Sequence, residues 1–243
     1  MEPWAKIPCG TRPDLLTRFG RFLEVVFVAV AGYVVAPVFL AFFGITAAEI
    51  INSPRHLSLL MISEASITLI LVWSLLNLRG EQPSLLGWKW DNLGREIRIG
   101  LLVVPLLFGT TFLTGLFFRL FFPDHVTQQN PVLNLIQSRS DLSLFLFSSV
   151  YVGGFKEEVQ RAFVLVRFGS YLGGIYVGLV LWSVFFAYGH VIQGVDNAFG
   201  AGMLGLMFGL LYIWRRNLTA PMIAHAVYDV STLLVYWQYV RTG

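Results

Sequence analysis

The chain has 243 residues, 56% of them hydrophobic and only 13% charged, with a mean hydropathy of +0.69. Soluble domains carry about 25% charged residues, so the composition excludes a soluble globular protein and indicates an integral membrane protein of one domain, 1–243. The net charge of +3 is too small to point to nucleic acid, and the single cysteine, Cys9, excludes an internal disulfide and a Cys-based metal site.

Residues 1–21 are polar and carry Lys6, Arg12, Arg18 and Arg21. The first apolar run, 22–44, is too long for the core of a cleavable signal peptide and is expected to act as an uncleaved signal anchor. A turn with Asn52-Ser53-Pro54-Arg55 leads to a second span, 57–78. Residues 79–98 mix charges with Trp88 and Trp90, which predicts an amphipathic segment lying at headgroup level. A third span, 99–122, is followed by the longest polar loop, 123–140. The remaining spans are expected at 141–168, 172–193, 198–214 and 218–239. The sixth is rich in glycine (Gly200, Gly202, Gly205, Gly209), which permits close helix packing, and Arg215-Arg216-Asn217 ends it. The fold class is therefore all-α: a polytopic transmembrane bundle of about seven spans plus an interfacial segment.

Orientation follows from Lys and Arg in the short loops. Four lie before the first span, four in 79–98 and two in the 215–216 turn, against one each in 45–56 and 123–140 and none in 194–197. A cytoplasmic N-terminus and, with seven spans, an outside C-terminus are expected. The compact chain suggests a prokaryotic inner membrane.

Three of the spans carry ionisable residues inside the apolar run: Lys156-Glu157-Glu158-Val159-Gln160-Arg161, then His190, then His225 with Asp229. A charge at bilayer depth costs at least ~2.5–3.5 kcal/mol, and such residues usually face a bundle interior and carry chemistry or transport. Glu157 and Arg161 share a helix face at i,i+4, and Glu158 is within i,i+3 reach of Arg161, so the arginine can hold one carboxylate while the other faces a cavity. His225 and Asp229 are also i,i+4, which lets Asp229 accept the imidazole N–H and fix its tautomer; Phe186 has the same spacing to His190 and can pack beneath that ring. Glu64, Thr68 and Arg119 are expected to be structural or snorkelling, and His56 and His125 are expected in loops.

Glu157-Glu158-x-x-Arg161, Phe186-x-x-x-His190 and His225-x-x-x-Asp229 resemble, in order and each within an apolar span, the three motifs of the CPBP family, the CAAX-protease and bacteriocin-processing (Abi) intramembrane endopeptidases. The resemblance covers about 141–232, the expected catalytic core. It implies a multi-helix membrane protease with a site inside the bilayer and a membrane-embedded or lipidated peptide as substrate. It further implies Glu157 as the base that activates water, Glu158 and Arg161 as its orienting pair, His190 as a partner for water or proton, and His225 with Asp229 at the scissile carbonyl or oxyanion.

Two departures from the family pattern stand out. The acid pair is one residue closer to the arginine than in Glu-Glu-x-x-x-Arg, so the motif can be aligned on Lys156-Glu157 or on Glu157-Glu158; the second alignment keeps both carboxylates. Asp229 replaces Asn, and an ionised Asp cannot donate to an oxyanion. Glu157, His190, His225 and Asp229 are also suitable ligands for zinc, although no His-Glu-x-x-His motif is present. Metal-independent glutamate–histidine chemistry is favoured over a zinc site at these four residues, and both stay open. Cys9 lies outside the spans, away from any nucleophile's place. Two other functions remain open: a catalytically silent relative serving as an immunity or scaffold protein, and a proton-coupled transporter using the same residues as a relay. Simple up-and-down counting sets His190 and His225 roughly 15 Å apart at 1.5 Å per residue, so a common site demands offset or tilted helices.

Overall fold

The computed structural model describes residues 13–242, which leaves Lys6, Cys9 and Arg12 outside the described part. Helices make up the described chain, with no strand among its residues. They are α1 (Leu15–Phe42), α2 (Ala47–Asn52), α3 (Pro54–Leu78), α4 (Leu93–Phe121), α5 (Arg139–Ser149), α6 (Glu158–Tyr171), α7 (Ile175–Gly189), α8 (Val195–Arg215) and α9 (Thr219–Thr242). A π-helical segment, Val150–Glu157, joins α5 to α6 in one continuous run.

Local chemistry sets where these helices begin. The Asp14 side chain accepts from the Thr17 N–H at the start of α1. Reciprocal capping boxes, Thr46 with Glu49 and Ser138 with Asp141, start α2 and α5. Ser53 caps α3 with Pro54 at its first position, which places His56 in the first turn of a helix rather than in a loop. Asn217 accepts from the Thr219 N–H and starts α9 immediately after α8 ends on the left-handed Arg216.

Four helices are long and apolar enough to cross a membrane: α1, α3, α4 and α8. The 18-residue window of α4 has a mean hydropathy of 2.1 with only 17% of it buried, so most of that apolar surface faces outward, as a lipid-facing helix requires. α7 is apolar but has 15 residues. Seven spans become four by length and composition because the π segment interrupts the 139–171 run, and because that run and α9 hold the ionisable residues that lower their hydropathy.

Residues 79–92, in the segment expected at the interface, form mostly irregular backbone. Pro83 and the left-handed Gly87 confine them to one short turn, Pro83–Leu86. Trp88 turns inward, edge-on to Phe155 at 5.5 Å, while Trp90 stays exposed. The segment is tied to the α8–α9 turn instead. The Leu218 N–H donates to the Gly87 carbonyl at 3.1 Å, and the Tyr212 hydroxyl donates to the Leu86 carbonyl at 3.1 Å. Arg95 and Arg98 belong to α4.

α1 pairs with α3, α4 with α9 and α7 with α8, and the π segment lies against α9. The main core is built from Val159, Phe163 and Val166 of α6 against Val72 and Leu76 of α3 and Leu179 of α7. α6 is thus the central helix, buried along most of its length.

Candidate active site

The site forms where the end of the π segment and the start of α6 meet α7, α8 and α9. Close approach is written into the backbone. A Cβ on Gly154 would lie 2.7 Å from Cβ of Ala226, so only glycine lets the π segment sit this near α9. A Cβ on Gly205 of α8 would lie 3.2 Å from the Phe186 ring of α7.

The three consecutive residues at the π–α6 junction go to three different surroundings. Lys156 is buried and its Nζ lies 2.6 Å from Oε1 of Glu64 on α3, which also accepts from the Thr68 hydroxyl. Glu158 is buried, pairs with Arg161 and lies 2.7 Å from Nδ1 of His225. Glu157, between them, is 14% exposed and lines a cavity of about 360 Å³. The arginine therefore holds Glu158 and leaves Glu157 to the cavity.

His225 is fixed on two sides. Its Nδ1 meets Glu158, and its ring stacks on Phe208 at 4.2 Å and 18°. The tautomer-setting partner is Glu158 rather than Asp229. The reason lies in the ring's orientation: stacking on Phe208 and bonding to Glu158 turn Nε2 the other way. Nε2 stands 3.7 Å from Oε2 of Glu157 and 3.7 Å from Oδ2 of Asp229. Such a separation is too long for a direct hydrogen bond and suits a bridging water. Asp229, 25% exposed, lines the same cavity.

His190 sits just past the last residue of α7, with Nδ1 2.8 Å from the Phe186 carbonyl. Phe186 packs against it at 4.5 Å and lies edge-on to His225 at 6.4 Å. His190 and His225 thus line one cavity without touching each other. The short α7, ending at Gly189, provides the offset that simple counting lacked. The Arg161 guanidinium lies 5.2 Å from the centre of Phe186 and 5.4 Å from that of Phe208, a cation between two ring faces.

All six motif residues meet here: Glu157, His190, His225 and Asp229 line the cavity, and Glu158 and Arg161 lie behind His225. The aromatic residue Phe208 and the close-approach residue Gly153 gave no sign of their roles in the sequence, whereas Glu64 and Thr68, expected to be structural, form the buried pairing of Lys156. Among the described residues no group of three or more His, Cys, Asp or Glu side chains is disposed to hold a metal ion. The polar end of the cavity is formed by Asn130, Gln193 and Asn197.

The chain matches no curated protein and no solved structure. Residues 138–231, which hold all three motifs, match the family model described as Type II CAAX prenyl endopeptidase Rce1-like, in agreement with the family the motifs resemble.

Proposed function

We propose that this chain is an intramembrane endopeptidase that hydrolyses a peptide bond in a membrane-embedded or lipidated, CAAX-type substrate by glutamate- and histidine-activated water. The observation that carries this reading is the placement of Glu157 at the cavity wall, 3.7 Å from Nε2 of a His225 whose other nitrogen is held by the buried Glu158–Arg161 pair.

A water between Glu157 and His225 gives a proton to the Glu157 carboxylate as its oxygen attacks the scissile carbonyl carbon. The tetrahedral oxyanion accepts from Nε2–H of the His225 imidazolium, whose Nδ1–H is donated to Glu158. Glu157 then hands the proton to the departing amide nitrogen as the C–N bond breaks, so one water is consumed and one acid and one amine are released. Asp229, an acceptor only, stands 3.7 Å from Nε2 and reaches it through a bridging water, so it helps place that water between turnovers. His190, with its Nδ1 on a backbone carbonyl, presents Nε2 to the cavity as a second donor or acceptor for substrate.

The test is cleavage of a quenched-fluorescent CAAX-type lipopeptide by the purified protein, its Glu157→Gln variant and its His225→Ala variant, each with and without a chelator. Cleavage by the wild type alone, indifferent to chelator, is expected. Chelator sensitivity restored by zinc would replace water activation by Glu157 with a metal site. Cleavage retained in Glu157→Gln would sink the proposal.

A further inference from the structure

Lys156, Glu157 and Glu158 are consecutive, yet the outer two are tied to different helices and the middle one faces the cavity. Lys156 is 1% exposed, and its Nζ lies 2.6 Å from Oε1 of Glu64 on α3. The same oxygen accepts from the Thr68 hydroxyl one turn later. The half-exposed Tyr33 of α1 sets its ring 5.2 Å from that Nζ, and its hydroxyl stands 3.8 Å from where a Cβ would lie on Gly189, the residue before His190. Gly32 leaves room for this arrangement, since a Cβ there would lie 2.8 Å from the Glu64 carboxylate. On the other side, Glu158 is held by Arg161 and by His225 of α9. Neither Lys156 nor Glu64 lines the cavity.

The pair sits where the winding of the helix changes. Val150–Glu157 is π-helical and α-helix resumes at Glu158, so the junction falls beside Glu157. Segments of this kind are rare and concentrate at functional sites. Rewinding the segment as α-helix would turn one side of the junction against the other by about 100° for each residue absorbed, and Glu157 would leave the cavity. Gly153 and Gly154 give the segment backbone freedom, whereas a lysine anchored to another helix takes it away. A buried ion pair is weak evidence for stability, and its best-attested use is to fix register.

We infer that the Lys156–Glu64 pair is a register lock: it holds the π winding in place and so keeps the Glu157 carboxylate in the cavity. Lys156 is a positioning residue that acts through Glu157. The catalytic consequence rests on the proposed role of Glu157 in peptide hydrolysis; the geometric one does not. The lock also accounts for a departure in the first motif. Aligned on Arg161, the acid pair of the family pattern falls on Lys156-Glu157, and the first acid's place is taken by a lysine that turns to α3 rather than into the cavity.

The experiment reads geometry and chemistry separately on the full chain. Lys156→Met/Glu64→Gln removes both charges and leaves an amide to accept from Thr68. Lys156→Glu/Glu64→Lys exchanges the charges, and Arg215→Met/Glu96→Gln removes another largely buried pair away from the π segment. In a Cys9→Ser background, which removes the only cysteine, Glu157→Cys is labelled with a small water-soluble thiosulfonate in detergent. Thiol access sets the rate, which is expected to fall about tenfold or more in Lys156→Met/Glu64→Gln, to stay unchanged in Arg215→Met/Glu96→Gln and to return to within about threefold of the parent on charge exchange. With Glu157 restored, kcat for a lipopeptide is expected to fall about 100-fold in Lys156→Met/Glu64→Gln, the scale of a misplaced reacting group, with KM within about twofold. Glu64→Gln alone, which leaves Lys156 an acceptor, is expected to act in the same direction and carries the test where the double variant does not fold. Unchanged labelling in a folded variant overturns the lock, whatever happens to cleavage. Equal slowing by Arg215→Met/Glu96→Gln overturns it as well. Slowed labelling together with no cleavage by the wild type would keep the lock and remove the peptidase reading.

Discussion

Two buried ion-pair clusters share α6 and are built on opposite terms. Around Arg167, 1% exposed, every charge is matched: its Nε bonds Glu24 at 2.8 Å, and its Nη atoms bond both oxygens of Glu81 at 3.0 and 2.6 Å. Glu24 in turn accepts from Arg21 and Arg79. Six residues earlier, Arg161 is fully buried yet has Nε and Nη2 without a hydrogen-bond partner among the described residues, and Glu158 beside it has Oε2 in the same condition. Phe186 and Phe208 cover the Arg161 guanidinium instead. A saturated network ties α1, α3 and α6 together and has no capacity left for a ligand. An under-satisfied one, in a low-dielectric pocket, keeps its electrostatic pull for what enters the cavity. The difference separates a structural polar cluster from a chemical one although both use the same residue types on the same helix.

The strongest way to break this contrast is Glu157→Gln. Turnover of a lipopeptide is expected to fall by about 10²–10⁴, the range for loss of a general base, with little change in the detergent-solubilised melting temperature because Glu157 faces the cavity and stands 3.7 Å from His225 with no direct hydrogen bond to lose. Next come Arg161→Met and Arg167→Met. Each removes a buried guanidinium from its carboxylates, but Glu24 keeps Arg21 and Arg79 and Glu158 keeps Nδ1 of His225, so each is expected to lower stability by about 1.5–3 kcal/mol, the scale of hydrogen bonds to charged groups. Activity per folded molecule separates them: Arg167→Met retains it, while Arg161→Met loses it because the Glu158 carboxylate that orients His225 is itself no longer fixed. Equal residual activity in the two variants would abolish the distinction between the clusters.

Gly153→Ala sharpens the contrast from the side of the substrate. A Cβ there would stand 3.2 Å from Nε2 of His225 and closer still to the Asp229 carboxylate, in the space assigned to the attacking water. An activity loss of about 100-fold is expected, the scale of a misplaced reacting group, with a modest stability change. Stability and activity falling together would show that Gly153 serves only the packing of the π segment on α9.

The parts of this design that lie close together along the chain were legible in the sequence. The spacing of Glu157, Glu158 and Arg161 announces one held and one free carboxylate. What could not be read depends on contacts between distant segments. Glu158 meets His225 across 67 positions, so Asp229, the local i,i+4 candidate, was the natural but incorrect choice for the partner that sets the tautomer. Lys156 finds Glu64 on another helix, and Phe208, one aromatic residue in an apolar helix, has no distinguishing neighbour in sequence. The π segment escapes prediction because Val150–Glu157 is apolar and glycine-containing in a way that an α-helix would also accept. The tie of 79–92 to the α8–α9 turn, through Gly87 and Leu218, likewise joins segments far apart in the chain.

The smallest expected effect tests whether the Arg167 cluster is redundant as well as saturated. Glu81→Gln removes the charge that accepts from both Nη atoms of Arg167, but Glu24 keeps its own bond to Nε, and Glu81 is 16% exposed, near enough to solvent for water to replace part of what is lost. Arg167 therefore never becomes an unpaired buried cation, and the change is expected to cost about 1–2 kcal/mol in chemical denaturation, the scale of a hydrogen bond to a charged group. Lipopeptide turnover should be unaffected, since Arg161 and His225 have no bond to this cluster. Glu24→Gln removes the acceptor shared by Arg21, Arg79 and Arg167 and should cost more than Glu81→Gln. If the two substitutions cost the same, the network is not centred on Glu24, and the order of the helices around α6 rests on apolar packing instead.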